Sequence, residues 1–245
     1  MTDSRGTLAV RPSEFGAAPA VAVVAPQDVD DLLVVRDVHK RWGNSPILEG
    51  VDLAVPRGGL VSICGANGTG KTTLLRIAAG LIHAESGTVA IEGLHSERDR
   101  RAYLGRLGFL SAGDRSLYAR LRARRHLDLC ARLALIPAGR RTAAVDQALG
   151  VFGLDGFADR RADRLSMGQR QRVRLAMTFV HDPSLVLLDE PANSLDQDGL
   201  DVLAAYLEQL RRRGGAAVWC APDIAQSTLE SDIQLRLTGG RLEPA

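Results

Sequence analysis

The sequence has few cysteines, no long apolar run and no excess of charge. Its 245 residues include three cysteines, Cys64, Cys130 and Cys220, which are too scattered for a disulfide framework or a metal cluster. No stretch reaches the roughly 18 apolar residues typical of a membrane span. The balance of 31 basic and 29 acidic residues is too even to argue for nucleic-acid binding. These absences favour a globular protein of a reducing compartment.

The N-terminal region contains an alanine- and valine-rich run at residues 17–25. A signal peptide would have basic residues before such a run, but Pro12 and Glu14 precede it and Pro19 interrupts it. We expect residues 1–30 to form a disordered tail, with a role in secretion or docking as the alternative. Residues 31–245 are enough for one domain with a sizeable core.

The most specific pattern lies at residues 65–72, which read GANGTGKT and fit the phosphate-binding loop G-x-x-x-x-G-K-[ST]. Its glycines permit a tight turn in which several backbone N–H groups point at one anion. The lysine supplies positive charge for the outer phosphates, and the last hydroxyl can ligate Mg²⁺. A chance glycine-rich turn is the weaker interpretation, because a short apolar strand precedes the loop and a helix follows it. The residues predicted to bind phosphate are Gly65, Asn67, Gly68, Thr69, Gly70, Lys71, Thr72 and Thr73.

A second apolar strand, residues 185–188, ends in two carboxylates, Asp189 and Glu190. In open α/β sheets, ligands lie beyond the carboxyl ends of the strands. This rule places Asp189 beside a Mg²⁺ held by Thr72, and Glu190 where it can orient an attacking water. The alternative is a strand that runs into a polar turn, since Pro191 follows directly. The phosphate-binding loop upstream argues against that alternative.

A third pattern precedes this strand. Ser166 and Gln169 have the spacing of a capping box, which begins a helix. A helix start that is capped by serine and loosened by Gly168 can bind an anion. It can equally do nothing more than begin the helix.

The order of patterns predicts an α/β fold. Short strands run from residue 32 to 57, with turn residues at 43–46, and strand–helix alternation follows. Residues 114–164 are rich in alanine, leucine and arginine and are expected to be helical, with breaks at proline and glycine. We therefore predict a parallel sheet with a helical insertion between its halves.

Together these motifs resemble the ATP-binding subunit of an ATP-binding cassette (ABC) transporter over roughly residues 31–245. The phosphate-binding loop, the signature LSMGQ at 165–169, the Walker B strand through Glu190 and the SLD segment at 194–196 occur in the family's order. The resemblance implies a P-loop NTPase core with an antiparallel β subdomain and an inserted helical subdomain at about 114–164. It also implies that Trp42 stacks on adenine.

The same resemblance implies roles for the remaining site residues. ATP lies between the phosphate-binding loop of one subunit and the signature of a second, where Ser166, Gly168 and Gln169 meet it. Lys71 and Glu190 are the implied catalytic residues. Mg²⁺ is the implied metal, held by the Thr72 hydroxyl and the Asp189 carboxylate, the two groups already predicted above to bind it.

Two residues of the family pattern are missing. The family usually has a glutamine after the strand matching 107–111, which helps ligate Mg²⁺ and senses the permease, but residues 72–146 contain no glutamine. Asp114 is the nearest group able to bind a cation, with a solvated turn residue as the alternative. Pro222 stands where the family has a histidine that contacts the γ-phosphate, and no histidine follows His181. We expect ATP binding with Mg²⁺, and hydrolysis that is slow or needs a partner.

The implied function is ATP hydrolysis that drives a separate membrane permease from the cytoplasmic face of the membrane. A homodimer is favoured over the weaker half of a heterodimer, and export over import because of the region around Leu117 and Tyr118. Two other functions stay open: a nucleotide-gated subunit with weak hydrolysis, and a soluble ABC ATPase. With one cassette and no coiled-coil insertion, no nucleic-acid partner is expected. The arginines that dock on a permease, or form a solvated face, are Arg115, Arg120, Arg122, Arg124 and Arg125.

Overall fold

The computed structural model describes residues 31–113, 116–222 and 229–245. The predicted tail at residues 1–30, Asp114 and Arg115 lie outside these ranges. In the described part, the strands form two sheets, one antiparallel and one largely parallel. The α/β prediction is therefore confirmed.

The antiparallel sheet has four strands in the order β2-β1-β4-β5. Its first two strands are longer than the sequence indicated, because they pair up to a hairpin tip at which Trp42 faces Ser45. Gly43 has a φ of 58° there, which a glycine adopts easily, so the turn needs only two residues. The bounds are Asp31–Trp42 for β1, Ser45–Pro56 for β2, Ser86–Ile91 for β4 and Leu94–His95 for β5.

The larger sheet has six strands in the order β10-β9-β3-β8-β7-β6, of which β10 alone is antiparallel. Its middle strands are almost wholly apolar, as expected for parallel strands covered on both faces. The carboxyl ends of β3, β8 and β7 lie side by side, since Cys64 pairs with Ala221 and Cys220 with Asp189. The bounds are Leu60–Cys64 for β3, Leu107–Leu110 for β6, Leu185–Asp189 for β7, Ala216–Ala221 for β8, Ile233–Thr238 for β9 and Arg241–Pro244 for β10.

The helices lie between these strands. Between β6 and β7 the first helix begins at Ala123, later than expected, whereas the break at Pro137 lies where the sequence indicated; short 3₁₀ turns follow the second helix. No helix in the described ranges combines the length and apolar character needed to cross a bilayer. The bounds are Lys71–Ala78 for α1, Arg100–Gly105 for α2, Ala123–Leu133 for α3, Ala138–Val151 for α4, Met167–Phe179 for α5 and Gln197–Arg212 for α6, with 3₁₀ turns at Asp155–Phe157 and Ala162–Arg164.

The larger sheet separates two apolar cores. Alternate residues of each strand point to opposite faces. Ile63 and Val218 pack into the core that holds α1 and the antiparallel sheet. Leu188 and Trp219 pack into the core that holds α3, α4, α5 and α6. The phosphate-binding loop follows β3, and the signature helix α5 packs against a face of the same sheet, so the larger sheet holds both.

Candidate nucleotide-binding site

The loop between β3 and α1 needs its glycines for both conformation and space. Gly65, Gly68 and Gly70 have φ angles of 152°, 84° and 106°. A Cβ atom on Gly65 would lie 2.6 Å from the carbonyl oxygen of Leu237, and one on Gly70 would lie 2.9 Å from Cγ2 of Ile47. The loop is held closely between β9 and β2, and a larger residue at either position would force these strands apart.

Lys71 begins α1 and lies inside the loop with 6% of its surface exposed. Its Nζ donates hydrogen bonds to the carbonyl oxygens of Gly65, at 2.5 Å, and Ala66, at 3.0 Å. One of the three ammonium protons is left for an anion. Because Gly70 offers no side-chain cap, the first N–H groups of α1 are also available. Loop, lysine and helix end together form a cradle of donors that could hold an anion.

Two oxygen ligands for a cation meet at this cradle. The hydroxyl of Thr72 donates a hydrogen bond of 2.9 Å to Oδ2 of Asp189, 117 residues away in the chain. Asp189 is 2% exposed, so its carboxylate is shielded from bulk water. Hydroxyl and carboxylate oxygens suit Mg²⁺, which takes its other ligands from water and phosphate. Among the described residues, no group of three or more His, Cys, Asp or Glu side chains could bind a metal.

Glu190 lies directly beyond the end of β7 in an unusual conformation. Its φ is 53°, in the left-handed region that non-glycine residues seldom adopt. Its backbone N–H donates to the backbone carbonyl oxygen of Cys220 at 3.2 Å. Its side-chain Oε2 accepts a 2.7 Å hydrogen bond from the Asn193 side-chain amide. Burial raises the pKa of the Cys220 thiol, and the Asp189 charge raises it further, so this neighbour stays neutral. Sequence reasoning missed Asn193, although its position three residues after Glu190 was a signal.

The signature segment forms the predicted capping box. The Ser166 hydroxyl accepts from the Gln169 N–H at 3.2 Å, and Gln169 Oε1 accepts from the Ser166 N–H at 3.0 Å. Ser166 is exposed at the start of α5. A Cβ atom on Gly168 would lie 3.3 Å from the carbonyl oxygen of Ser194. The signature therefore touches the SLD segment within one chain.

A charged pair that the sequence did not suggest strengthens this contact. Arg172 of α5 donates a 2.7 Å hydrogen bond to Oδ1 of Asp196, which also caps α6 by accepting from the Gly199 N–H at 3.0 Å. The Arg172 hydrogen bond, and then the Gly199 N–H, lower the pKa of Asp196. This ion pair joins the signature helix α5 to the start of α6.

Trp42 stands at the end of β1 with 54% of its surface exposed. The ammonium group of Lys40 lies 4.8 Å from its ring centroid. The partner strand β2 carries Ile47, which borders the loop at Gly70. An exposed aromatic ring on the hairpin that borders the phosphate loop is suited to stacking on a base.

The two positions that depart from the family pattern lie at the same edge of the sheet. The segment that lacks the glutamine directly follows β6, and Pro222, at the histidine position, directly follows β8. Proline has neither a side-chain donor nor an N–H, so it offers no hydrogen bond to a phosphate. Neither position supplies the expected side chain within the described residues.

Comparison with known proteins agrees with this geometry. The family model described as ABC transporter matches residues 48–193. The sulfate/thiosulfate import ATP-binding protein CysA of Mycolicibacterium paratuberculosis is 38% identical over 215 residues, which cover 87% of this chain and 59% of that protein. The ABC transporter ATP-binding protein NatA of Bacillus subtilis is 32% identical over 162 residues, 66% of each chain. The chain spans about half to two thirds of the length of these relatives.

Solved structures show the same fold. An ATP-binding subunit of an ABC transporter superposes with a TM-score of 0.79 at 24% identity, covering 87% of this chain and 90% of that one. CbiO1 from Clostridium perfringens, part of the ABC transporter complex cbiONQ, superposes with a TM-score of 0.75 at 24% identity, covering 87% of each chain. The family match and the shared fold lead to one conclusion: this chain belongs to the ABC transporter family and has the fold of its ATP-binding subunits.

Proposed function

We propose that this chain is an ATP-hydrolysing, energy-coupling subunit of a membrane ABC transporter. The observation that carries the proposal is the hydrogen bond between Thr72 and Asp189, which joins the phosphate loop to the carboxyl end of β7 with Glu190 next in the chain. In this proposal, residues 31–245 are the ATPase domain and residues 114–164 its helical insertion. Residues 1–30 are a tail outside the domain.

Each residue has a distinct task in this reaction. The loop amides and Lys71 hold the phosphates, and bound Mg²⁺ at Thr72 and Asp189 would neutralise charge on the transferred phosphoryl group. Glu190 orients the attacking water, and the Asn193 amide fixes the direction of its carboxylate. Trp42 stacks on the adenine. Phosphoryl transfer depends mainly on positioning and charge, so these residues suffice for a slow reaction.

A second subunit completes the site. Ser166, Gly168 and Gln169 form a helix start suited to an anion, exposed at Ser166 and partly exposed at the other two, so a second copy can place it on the far side of the nucleotide. ATP then stabilises the dimer by mass action, and hydrolysis lets it open. A homodimer is favoured because Glu190 and the signature are both intact. The missing glutamine and histidine favour the alternative, a weak half of a heterodimer.

The proposed membrane partner is a separate permease, which keeps the chain at the cytoplasmic face. Tyr118, with 68% of its surface exposed, is a candidate contact in the helical region. Two of the nearby arginines have acidic partners in the chain: Arg122 pairs with Asp159 at 3.4 Å, and Arg124 pairs with Asp146. These pairs favour a partly neutralised surface over a purely basic one.

The direction of transport is less well supported. The relatives named for a direction, such as CysA and the molybdenum import protein ModC of Aromatoleum aromaticum, are named for import. Export, expected from Leu117 and Tyr118, gains no support from them. Import is therefore the better-supported direction, and the cargo is set by the permease.

A binding and turnover experiment tests the proposal. The purified protein is titrated with MgATP. Phosphate release is then measured for the protein alone and for its complex with the permease that co-purifies with it. Lys71→Ala is expected to weaken MgATP binding more than tenfold, and Glu190→Gln to leave binding intact while turnover falls about 100-fold. Arg98→Ala, a change at an exposed arginine, is the matched control. Unchanged turnover with Glu190→Gln would refute the enzymatic role.

A further inference from the structure

A chain of hydrogen bonds, buried at Arg174 and Gln171, links the signature helix to two other parts of the molecule. Arg174 of α5 is 5% exposed, and its guanidinium group donates from all three nitrogens. Nε donates to the Ser116 hydroxyl at 2.7 Å, Nη1 to Oε1 of Gln171 at 2.6 Å, and Nη2 to the carbonyl oxygen of Ser111. Ser111 and Ser116 flank the segment after β6, where the family's glutamine is missing.

Gln171 continues the chain toward the catalytic strand. Its side chain is also 5% exposed, and Nε2 donates a 3.1 Å hydrogen bond to the carbonyl oxygen of Pro191. Pro191 directly follows Glu190, whose backbone is already held in the left-handed region. In a buried setting such bonds are strong and each constrains the next. Ser111 and Ser116 are therefore tied through Arg174 and Gln171 to the backbone next to Glu190.

We propose that Arg174 is a positioning residue for ATP hydrolysis: it holds Gln171, and thereby the Glu190–Pro191 peptide, in a fixed position relative to Ser111 and Ser116. The inference rests on the proposed function. Arg174 touches neither nucleotide nor metal in this role. A guanidinium group is a cation without a lone pair for Mg²⁺, so it can carry a mechanical link but not metal ligation.

The three-way contact explains why arginine is needed at this place. The planar guanidinium group presents donors in fixed directions, and here each of its nitrogens meets a different oxygen. A lysine ammonium is one point on a flexible stem and cannot reach all three oxygens in the same geometry. Arg174→Lys should therefore keep the charge and lose most of the link.

Steady-state hydrolysis by the full chain tests the link. In Arg174→Met, kcat is expected to fall about tenfold or more, because small displacements of a water-positioning group are costly. KM for MgATP and the Mg²⁺ requirement are expected to change less than twofold. Arg213→Met is the control, since this exposed arginine also donates to a backbone carbonyl, that of Pro183 at 3.1 Å, but before the start of β7. It should leave kcat unchanged.

A double-mutant comparison separates a shared chain from two independent effects. If Arg174 acts through Gln171, then Gln171→Met lowers kcat similarly, and the double variant loses no more than the worse single variant. Additive losses, or a kcat that survives Arg174→Met, would overturn the proposal. If Arg174→Met melts at assay temperature, Arg174→Lys and Gln171→Met carry the same comparison.

Amide hydrogen exchange tests the link without relying on turnover. In nucleotide-free Arg174→Met, the amides of residues 190–195 should exchange about tenfold faster, while those of residues 60–72 keep their rates. Equal exchange at residues 190–195 would refute the link by itself. If the unaltered chain binds no MgATP, the proposed function fails, but the exchange result still decides whether Arg174 holds this peptide.

Discussion

Substitution of Ser166 can separate its two tasks, capping α5 within the chain and meeting ATP on a second subunit. The hydroxyl accepts one hydrogen bond from the Gln169 N–H at 3.2 Å and is exposed. Aspartate caps a helix as well as serine does, and its charge suits a helix N-terminus. We therefore expect Ser166→Asp to keep the stability of the fold and to abolish ATP-driven dimerisation.

The expected sizes follow from this geometry. A carboxylate about 4 Å from a phosphate charge is repelled by about 4 kcal/mol at an effective dielectric constant near 20. That energy corresponds to roughly a 1,000-fold loss of affinity at each site, and a dimer contains two sites. Ser166→Ala has the opposite profile. It loses the cap, which costs about 1 kcal/mol and lowers Tm by a few degrees, but adds no repulsion.

Sedimentation with MgATP measures the effect, in a Glu190→Gln background that slows hydrolysis. Differential scanning calorimetry on the same samples reports stability. Thr142→Asp, which adds the same charge to an exposed position of α4, is the control and should dimerise like the parent. If Ser166→Asp dimerises with MgATP at the parent's protein concentration, the signature does not face the phosphates and the two-subunit site is wrong.

Three further predictions concern the loop, the metal and pH. Gly65→Ala should lower the unfolding free energy by about 1–3 kcal/mol in denaturant melts, since its Cβ would lie 2.6 Å from a β9 carbonyl oxygen. Gly139→Ala is the control: this glycine of α4 has open space around it, so the change should be neutral or stabilising. Asp189→Asn should leave metal-free ATP affinity within twofold in titration with EDTA but remove the gain from Mg²⁺, and a preserved gain would exclude Asp189 as a ligand. Burial lowers the pKa of His126 below its ordinary 6.5, so the folded state binds fewer protons than the unfolded state. The contribution of His126 to stability should fall as pH drops below about 6.5, by at most about 1.4 kcal/mol per pH unit. In urea melts at several pH values, the unfolding free energy of His126→Gln should therefore depend less steeply on pH than that of the parent.

Sequence reasoning succeeded where the relevant chemistry lies in consecutive residues. The phosphate loop and the capping box are local patterns, and both formed as expected. The contact between Thr72 and Asp189 needed one more rule, that parallel strands end at a common edge. The sequence could not indicate the role of Arg174, because two of the residues that it binds, Ser111 and Ser116, are 63 and 58 residues away. Arg174 stands between Val173 and Leu175, and this local pattern does not indicate that the arginine itself is buried.

Sheet edges were harder to predict for a similar reason. β9 alternates buried and exposed residues along Ile233–Thr238, which is a readable strand signal, but its partner β3 lies far earlier in the chain. The turn of the first hairpin does lie within the signal at residues 43–46, but β1 and β2 pair right up to it, with Trp42 opposite Ser45. How far two strands pair depends on tertiary context, which local propensity does not give.

Backbone strain at the end of β7 bears on the choice between hydrolysis and nucleotide gating alone. Glu190 and Ser194 have φ angles of 53° and 70°, and they enclose the segment that contains Asn193. Left-handed backbone at non-glycine residues costs on the order of 1–3 kcal/mol each and persists only where the surroundings enforce it. Holding phosphate requires the loop, Lys71 and Thr72, but not this conformation. The strained turn instead aims the Glu190 carboxylate at Asn193, an arrangement useful for orienting water. The stability given up here therefore favours an ATPase over a protein that only binds nucleotide.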